Sequence, residues 1–160
     1  MTMKEILETL DSDHSAMICK PATDPDIEQC QKDLEEMALE PLPDDYIDFL
    51  KTTNGFAWNG IEFFSTYRVT DPDSRYTLMD LVSMNDEFNE LYELDDYVYL
   101  GRADDDYYVF DIENENYHIL ELSSRESMEE FETFEELFAD TVGGRLGSVL
   151  ALAAEDENEE

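Results

Sequence analysis

Between Asp86 and Glu115 the chain interleaves carboxylates with tyrosines, and Arg102 is the only base in the stretch. Tyr92, Tyr97, Tyr99, Tyr107 and Tyr108 stand among acids such as Asp95, Asp96, Asp104, Asp105, Asp106, Glu113 and Glu115. Carboxylates form strong, charge-assisted hydrogen bonds with Lys and Arg, and tyrosines supply rigid, amphipathic contact area. Together they offer the chemistry of a surface that grips a basic protein. The candidate partner-binding residues are therefore Asp95, Asp96, Asp104, Asp105, Asp106, Glu113 and Glu115, with Tyr97 and Tyr107 as anchors. For any one tyrosine the opposite arrangement has equal weight. A strand sends alternate side chains to opposite faces, so every second tyrosine can face the core while the acids decorate turns.

Other chemistries find less support. Asp104-Asp105-Asp106 is not a calcium loop of the EF-hand kind, which needs glycine at its sixth position; counted from Asp104, that position is Val109. His14 and His118 lack metal-ligand spacing, and His118 falls in a predicted strand as a packed or surface residue. No G-x-S-x-G, H-E-x-x-H, phosphate-loop or dinucleotide fingerprint is present, and no nucleophile–base pair stands out. Cys19 and Cys30 form neither a C-x-x-C pair nor a disulfide framework, which suits reduced, packed thiols. The expectation is a protein without catalytic residues, metal or cofactor.

The whole chain is acidic: 43 Asp and Glu against 9 Lys and Arg give a formal charge of −34 and a pI near 4.1. Such a charge disfavours direct binding of nucleic acid or of anionic membranes. It favours a basic partner and fast, salt-sensitive association. A merely soluble acidic surface and an adaptation to high salt are the competing accounts. The second fits the low lysine content but not the wealth of aromatic and long aliphatic residues. Hydrophobic residues make up 42% of the chain, with nine Phe and nine Tyr, enough for a real core. The N-terminus does not read as a signal peptide. The apolar run Val149 to Ala154 is too short to span a membrane. These features point to a cytoplasmic protein of undefined oligomeric state.

The elements that must position these residues are legible in part. Leu42 to Gly55 reads as a helix with its start and stop written in. Pro43 suits the first turn, and Asp44 and Asp45 suit the positive end of the helix dipole. Tyr46, Phe49 and Leu50 share an apolar face, while Asn54 and Gly55 suit a left-handed stop. Before it, Ile6, Leu7 and Leu10 predict a short helix. Asp24, with Pro25 at the first position, opens another that turns Ile27, Cys30, Leu34 and Met37 inward. After it, Asn59-Gly60 marks a turn into a strand from Ile61 to Phe64. Leu78, Leu81, Val82, Asn85, Phe88 and Leu91 follow a helical period. Tyr97–Gly101, Tyr107–Ile112 and Tyr117–Leu122 predict a three-stranded antiparallel meander. A last helix is expected from Ser127 through Phe131, Phe134, Leu137 and Phe138, broken at Gly143-Gly144. A short helical piece at Val149–Ala154 and the acidic tail Glu155–Glu160 follow. Helices, then a meander, then a helix argue for α+β.

The segment L-P-x-x-Y-x-x-F-L-x-x-x-N-G, here Leu42 to Gly55, followed by Ile61-Glu62-Phe63-Phe64, resembles the signature of the SUKH superfamily. The likeness continues through Val98-Tyr99-Leu100-Gly101, then Tyr108-Val109-Phe110-Asp111, then the F-x-x-F-x-x-L-F run from Phe131 to Phe138. It spans roughly Asp26 to Asp140. The resemblance implies a single-domain α+β fold, mostly antiparallel sheet with helices packed against it. Residues 1–25 form an N-terminal helix and linker, 26–142 the domain, and 143–160 a C-terminal extension. It assigns Leu42, Pro43, Tyr46, Phe49, Leu50, Asn54, Gly55, Gly101, Asp111 and Phe134 to structural roles. SUKH proteins are best known as bacterial immunity proteins, so the resemblance implies a toxin inhibitor. The partner would be the toxin domain, basic and of a nuclease kind. A regulatory scaffold of a cellular complex and an acidic DNA mimic are the alternatives.

Overall fold

The aromatic residues of the signature sit at the centre of the molecule because the helix that carries them has one apolar stripe. The structure is a computed structural model and describes residues 2–11, 16–39, 42–91 and 97–158, with Leu91 and residues 155–158 by backbone alone. Among the described residues, strands and helices follow one another in this order: α1 (Met3–Asp11), β1 (Met17–Ile18), α2 (Asp24–Glu36), α3 (Asp44–Thr52), β2 (Phe56–Trp58), β3 (Ile61–Phe63), β4 (Val69–Thr70), β5 (Thr77–Leu78), α4 (Leu81–Leu91), β6 (Tyr97–Arg102), β7 (Asp106–Asp111), β8 (Asn116–Glu121), β9 (Ser127–Phe131), α5 (Phe134–Phe138), a π-helical turn (Ala139–Gly143) and α6 (Gly144–Asn158). Seven strands form one antiparallel sheet in the order β1-β2-β3-β6-β7-β8-β9, and β4 and β5 pair separately. The fold class is α+β.

Helices cover both faces of the central strands. Tyr107 and Tyr108 are neighbours on β7 and so point to opposite faces. On one face Phe88 of α4 packs 5.0 Å from the Tyr107 ring and 4.5 Å from Tyr99. On the other, Phe63 stacks on Tyr108 at 5.2 Å, under Phe134 and Phe138 of α5 and Phe49 of α3. Tyr46 and Phe134 meet edge to face, 5.0 Å apart at 87°, an arrangement that suits the quadrupoles of both rings. Two-sided cover explains why β6 and β7 read as nearly continuous apolar runs rather than as an alternation.

The signature residues owe their burial to hydrogen bonds as well as packing. The Tyr46 hydroxyl, fully buried, donates to the carbonyls of Phe64 and Leu100 and so ties α3 to β6. Leu42, Phe49, Leu50, Asn54 and Phe134 are buried with it, while Pro43 occupies the N-cap position and α3 starts at Asp44. The helix does not end on a left-handed Asn54. Its C-cap is Thr53 in an extended conformation. Asn54 instead uses its amide twice, donating to Thr66 Oγ1 at 2.9 Å and accepting from the Thr66 N–H at 2.9 Å. Gly55 carries the positive φ, 97°, and any side chain there would run into Leu78 and Ser65.

The expected Asn59-Gly60 turn is present and joins β2 to β3, whereas two other expectations change. Both turn residues have positive φ (50° and 84°), as a tight hairpin requires. Ser127–Phe131 is a strand, β9, and not the start of the last helix. Its spacing to Phe134 and Phe138 mimics a helical period, but Tyr117 and His118 of β8 pair with Phe131 and Glu130. Thr133 caps the helix instead, its hydroxyl accepting from the Glu136 N–H at 3.2 Å. Finally, Gly143-Gly144 does not break the helix. The chain runs on from α5 through the π-helical turn into α6, because Gly143 lets Ile6 of α1 approach and Gly144 keeps helical angles (φ −62°, ψ −44°).

Candidate functional site

The meander separates the acidic candidates into two groups. Asp104 and Asp105 lie exposed in the β6–β7 turn and Asp106 opens β7, whereas Glu113 and Glu115 lie exposed in the β7–β8 turn. β7 has six residues between the two turns, which sets them about 20 Å apart. They are two patches at opposite ends of one hairpin. Tyr97 is half-buried, its ring 6.0 Å from that of His118. Tyr107 is buried between Phe88 and Tyr99, so its ring is turned to the core in this conformation. Asp95 and Asp96, like Tyr92 and His14, lie outside the described residues.

The group around Asp106 is the more strongly coupled. Burial pushes the Asp106 carboxyl up, and Asp105 and Glu121 push it further, against the pull of Arg145. On the neighbouring edge strand, burial and then Asp140 raise the Glu129 carboxyl. Arg145, from the first turn of α6, donates to the Asn59 carbonyl. Elsewhere Arg102 is held by Glu62 at 2.8 Å and Lys51 lies 3.8 Å from Asp24.

The structure also gathers a set that sequence spacing hides. His118 Nε2 is 2.9 Å from Asn116 Oδ1 and 3.3 Å from Asp111 Oδ2, and its Nδ1 is 2.8 Å from the Ser127 hydroxyl. Asp111 is also a turn residue: it accepts from the N–H groups of Glu113 and Asn114, both at 3.1 Å, and from the Asn114 side chain at 2.8 Å. Burial raises the Asp111 carboxyl, but the hydrogen bonds from Asn114 and the proximity of His118 outweigh it and hold the group below the usual range. The set joins β7, β8 and β9 through side chains and fixes the β7–β8 turn. Only strand pairing brings Ser127 to His118, which is why no linear pattern shows it.

Three further features stand apart from the acidic candidates. A groove of about 490 Å³ runs past Trp58, Ile61, Tyr76 and Arg102, and a smaller one of about 260 Å³ past Met17, Tyr67 and Pro72. Burial pushes the Cys19 thiol up to about 11 and the Cys30 thiol up to about 12, so neither is poised as a nucleophile. Among the described residues no group of three or more His, Cys, Asp or Glu could hold a metal ion. The third feature is α6, where Val149, Leu150 and Leu152 are exposed. The continuous helix Phe134–Ala154, at 21 residues, is long and apolar enough by composition to cross a membrane. Its first half is packed in the core through Phe134, Leu137, Phe138 and Val142.

Asn85 is another residue that pattern reading treats only as part of a period. Its side chain donates to the carbonyls of Leu81 and Tyr99 and accepts from the Tyr99 N–H at 2.8 Å, fastening α4 to β6.

No curated protein matches the chain. A SUKH family model described as SMI1-KNR4 cell-wall matches residues 3–143. That match begins in α1 and ends at the last residue of the π-helical turn, and therefore takes in every strand of the sheet and the helices on both of its faces. The chain belongs to the SMI1-KNR4 family of the SUKH superfamily.

Proposed function

We propose that this protein is a non-catalytic immunity protein, which binds a basic toxin domain and blocks its active site or substrate path. The observation that carries the reading is the charge. With 43 acids and 9 bases, a formal −34 remains after every Lys and Arg is counted against a carboxylate. Such a field draws a basic partner in from a distance and speeds encounter, while short-range aromatic and carboxylate contacts then hold it. The raised thiols of Cys19 and Cys30 and membership of a family of immunity and regulatory proteins support a binding role. A nuclease toxin is the partner whose own basic, phosphate-binding cleft best complements this surface. The reading places the protein in the cytoplasm, needs no cofactor, and leaves direct nucleic-acid and membrane binding aside.

Asp104 and Asp105 in the exposed β6–β7 turn, with Asp106 at the start of β7, test it. Changing all three to Asn should slow association with the toxin about tenfold at low salt and leave dissociation little changed, because charge steering acts on the encounter. An unchanged on-rate in low salt would remove this turn from the mechanism. A regulatory scaffold within a cellular complex is the second reading, favoured by the cell-wall description of the matched family. A toxin gene beside this one supports immunity, and an isolated gene supports regulation.

A further inference from the structure

The apolar stripe of the C-terminal helix does not stop where the core stops. Phe138, Val142 and Leu146 are buried, four residues apart. Val149, Leu150 and Ala153 continue the same side at helical spacing. Yet every residue from Gly147 to Ala154 is exposed, with Val149 at 42%, Leu150 at 46% and Leu152 at 62%. α6 has 15 residues, about 22 Å of helix, and its residues 147–154 are exposed. A helix of this length draws most of its stability from a packed face, and a contiguous exposed apolar patch marks an interaction site.

The surroundings say what fits. At the root of α6, Asp104 and Arg145 approach the same point beside Gly60, and Asp105, Asp106 and Glu121 crowd together next to them. Asp140 lies one turn before Gly144 and meets Glu129 of β9. Arg145 is the cation of that group among the described residues, and it is already bonded to the Asn59 carbonyl. A second copy would bring another −34 to the same place, and an anionic bilayer would be repelled in the same way. Spanning a membrane would also require Phe134 and Phe138 to leave the core.

We propose that residues 147–154 of α6, with the acidic residues at its root, form the docking surface for a basic amphipathic helix of the partner protein. Apolar anchors of that helix cover Val149, Leu150 and Ala153, and its Lys and Arg face Asp104, Asp105 and Asp140. The inference rests on the reading of this protein as a binder of a basic polypeptide and names the surface that does the binding.

The test uses the full chain and the variant Val149→Ala, Leu150→Ala. Alanine removes bulk and keeps helix propensity, and circular dichroism verifies that the helix persists. Two synthetic probes of equal charge are titrated, an amphipathic Leu/Lys helix and a Ser/Lys peptide. The expected result is that the wild-type chain binds the Leu/Lys helix about tenfold more tightly than the Ser/Lys peptide and that the variant loses this preference. Equal affinity of variant and wild type for the Leu/Lys helix overturns the proposal. A wild-type dimer that the variant lacks, measured by light scattering, also overturns it in favour of a second copy. So does binding of the wild type, but not the variant, to zwitterionic vesicles. The same two proteins then serve as baits in a host lysate. Loss of a basic polypeptide from the variant supports the surface. Its retention overturns the surface while leaving the binding function standing. Absence of any basic polypeptide from the wild type, with the peptide preference intact, counts against the immunity reading alone.

Discussion

Tyr46 shows how much one residue of the signature does. Its ring lies in the aromatic cluster and its hydroxyl serves two carbonyls, on Phe64 and Leu100. Tyr46→Phe should lower stability by about 1–3 kcal/mol, because a buried carbonyl loses its donor, and a urea titration reads this directly. Phe49→Ala should cost about 3–5 kcal/mol, since the ring is fully buried against Phe63, Phe134 and Phe138. A loss under about 1 kcal/mol at Phe49 would contradict the packing described. At this scale the core was readable from spacing: Tyr46, Phe49 and Leu50 announce one helix face by position alone. The polar fasteners were not. Asn54 and Asn85 act through partners 12 and 14 residues away, and the His118 set forms only when three strands pair, so no local pattern records them.

Elements were legible where their hydrophobic period is unambiguous. Helices α2 and α3 and strands β6, β7 and β8 fall where apolar spacing places them, and α4 starts at Leu81 because Leu78, which fits its period, belongs to β5. β9 does not, because Phe131, Phe134 and Phe138 satisfy a helical period while Phe131 belongs to a strand. Thr133, with Glu136 three residues on, is the local sign of the boundary. Thr133→Ala should destabilise the protein by about 1 kcal/mol through the lost cap, checked by its thermal midpoint; no change would show that α5 is held by packing alone. β9 also closes one side of the sheet. Its exposed Glu129 and Glu130 are the kind of charges that keep an edge from pairing with another chain. α6 was underestimated for a related reason. Two adjacent glycines read as a break, whereas here Gly143 accommodates Ile6 and the helix continues.

For the whole molecule, charge governs both stability and association. Asp106 and Glu129 have raised carboxyls in the folded state, so their unfavourable contribution at neutral pH is relieved as pH falls. Asp111 is lowered, so its contribution is present above about pH 4 and is lost as pH falls through its folded value. The urea midpoint should therefore rise from pH 7 to about pH 5 and fall below about pH 4. A midpoint that keeps rising on further acidification would contradict the role given to Asp111. Added salt at pH 7 should raise the thermal midpoint by screening self-repulsion, and should weaken partner binding by the same screening. None of the partner's identity is written in this chain, since net charge speaks to association and not to a name.

The binding account stands or falls most directly on capture from the native host, with the full chain as bait at low and at moderate salt, followed by co-expression of whatever is recovered. The account predicts one basic polypeptide, held more firmly at low salt, whose toxicity to the cell this protein suppresses. Recovery of a housekeeping complex at both salts, or of a basic polypeptide whose toxicity is unaffected, would contradict it.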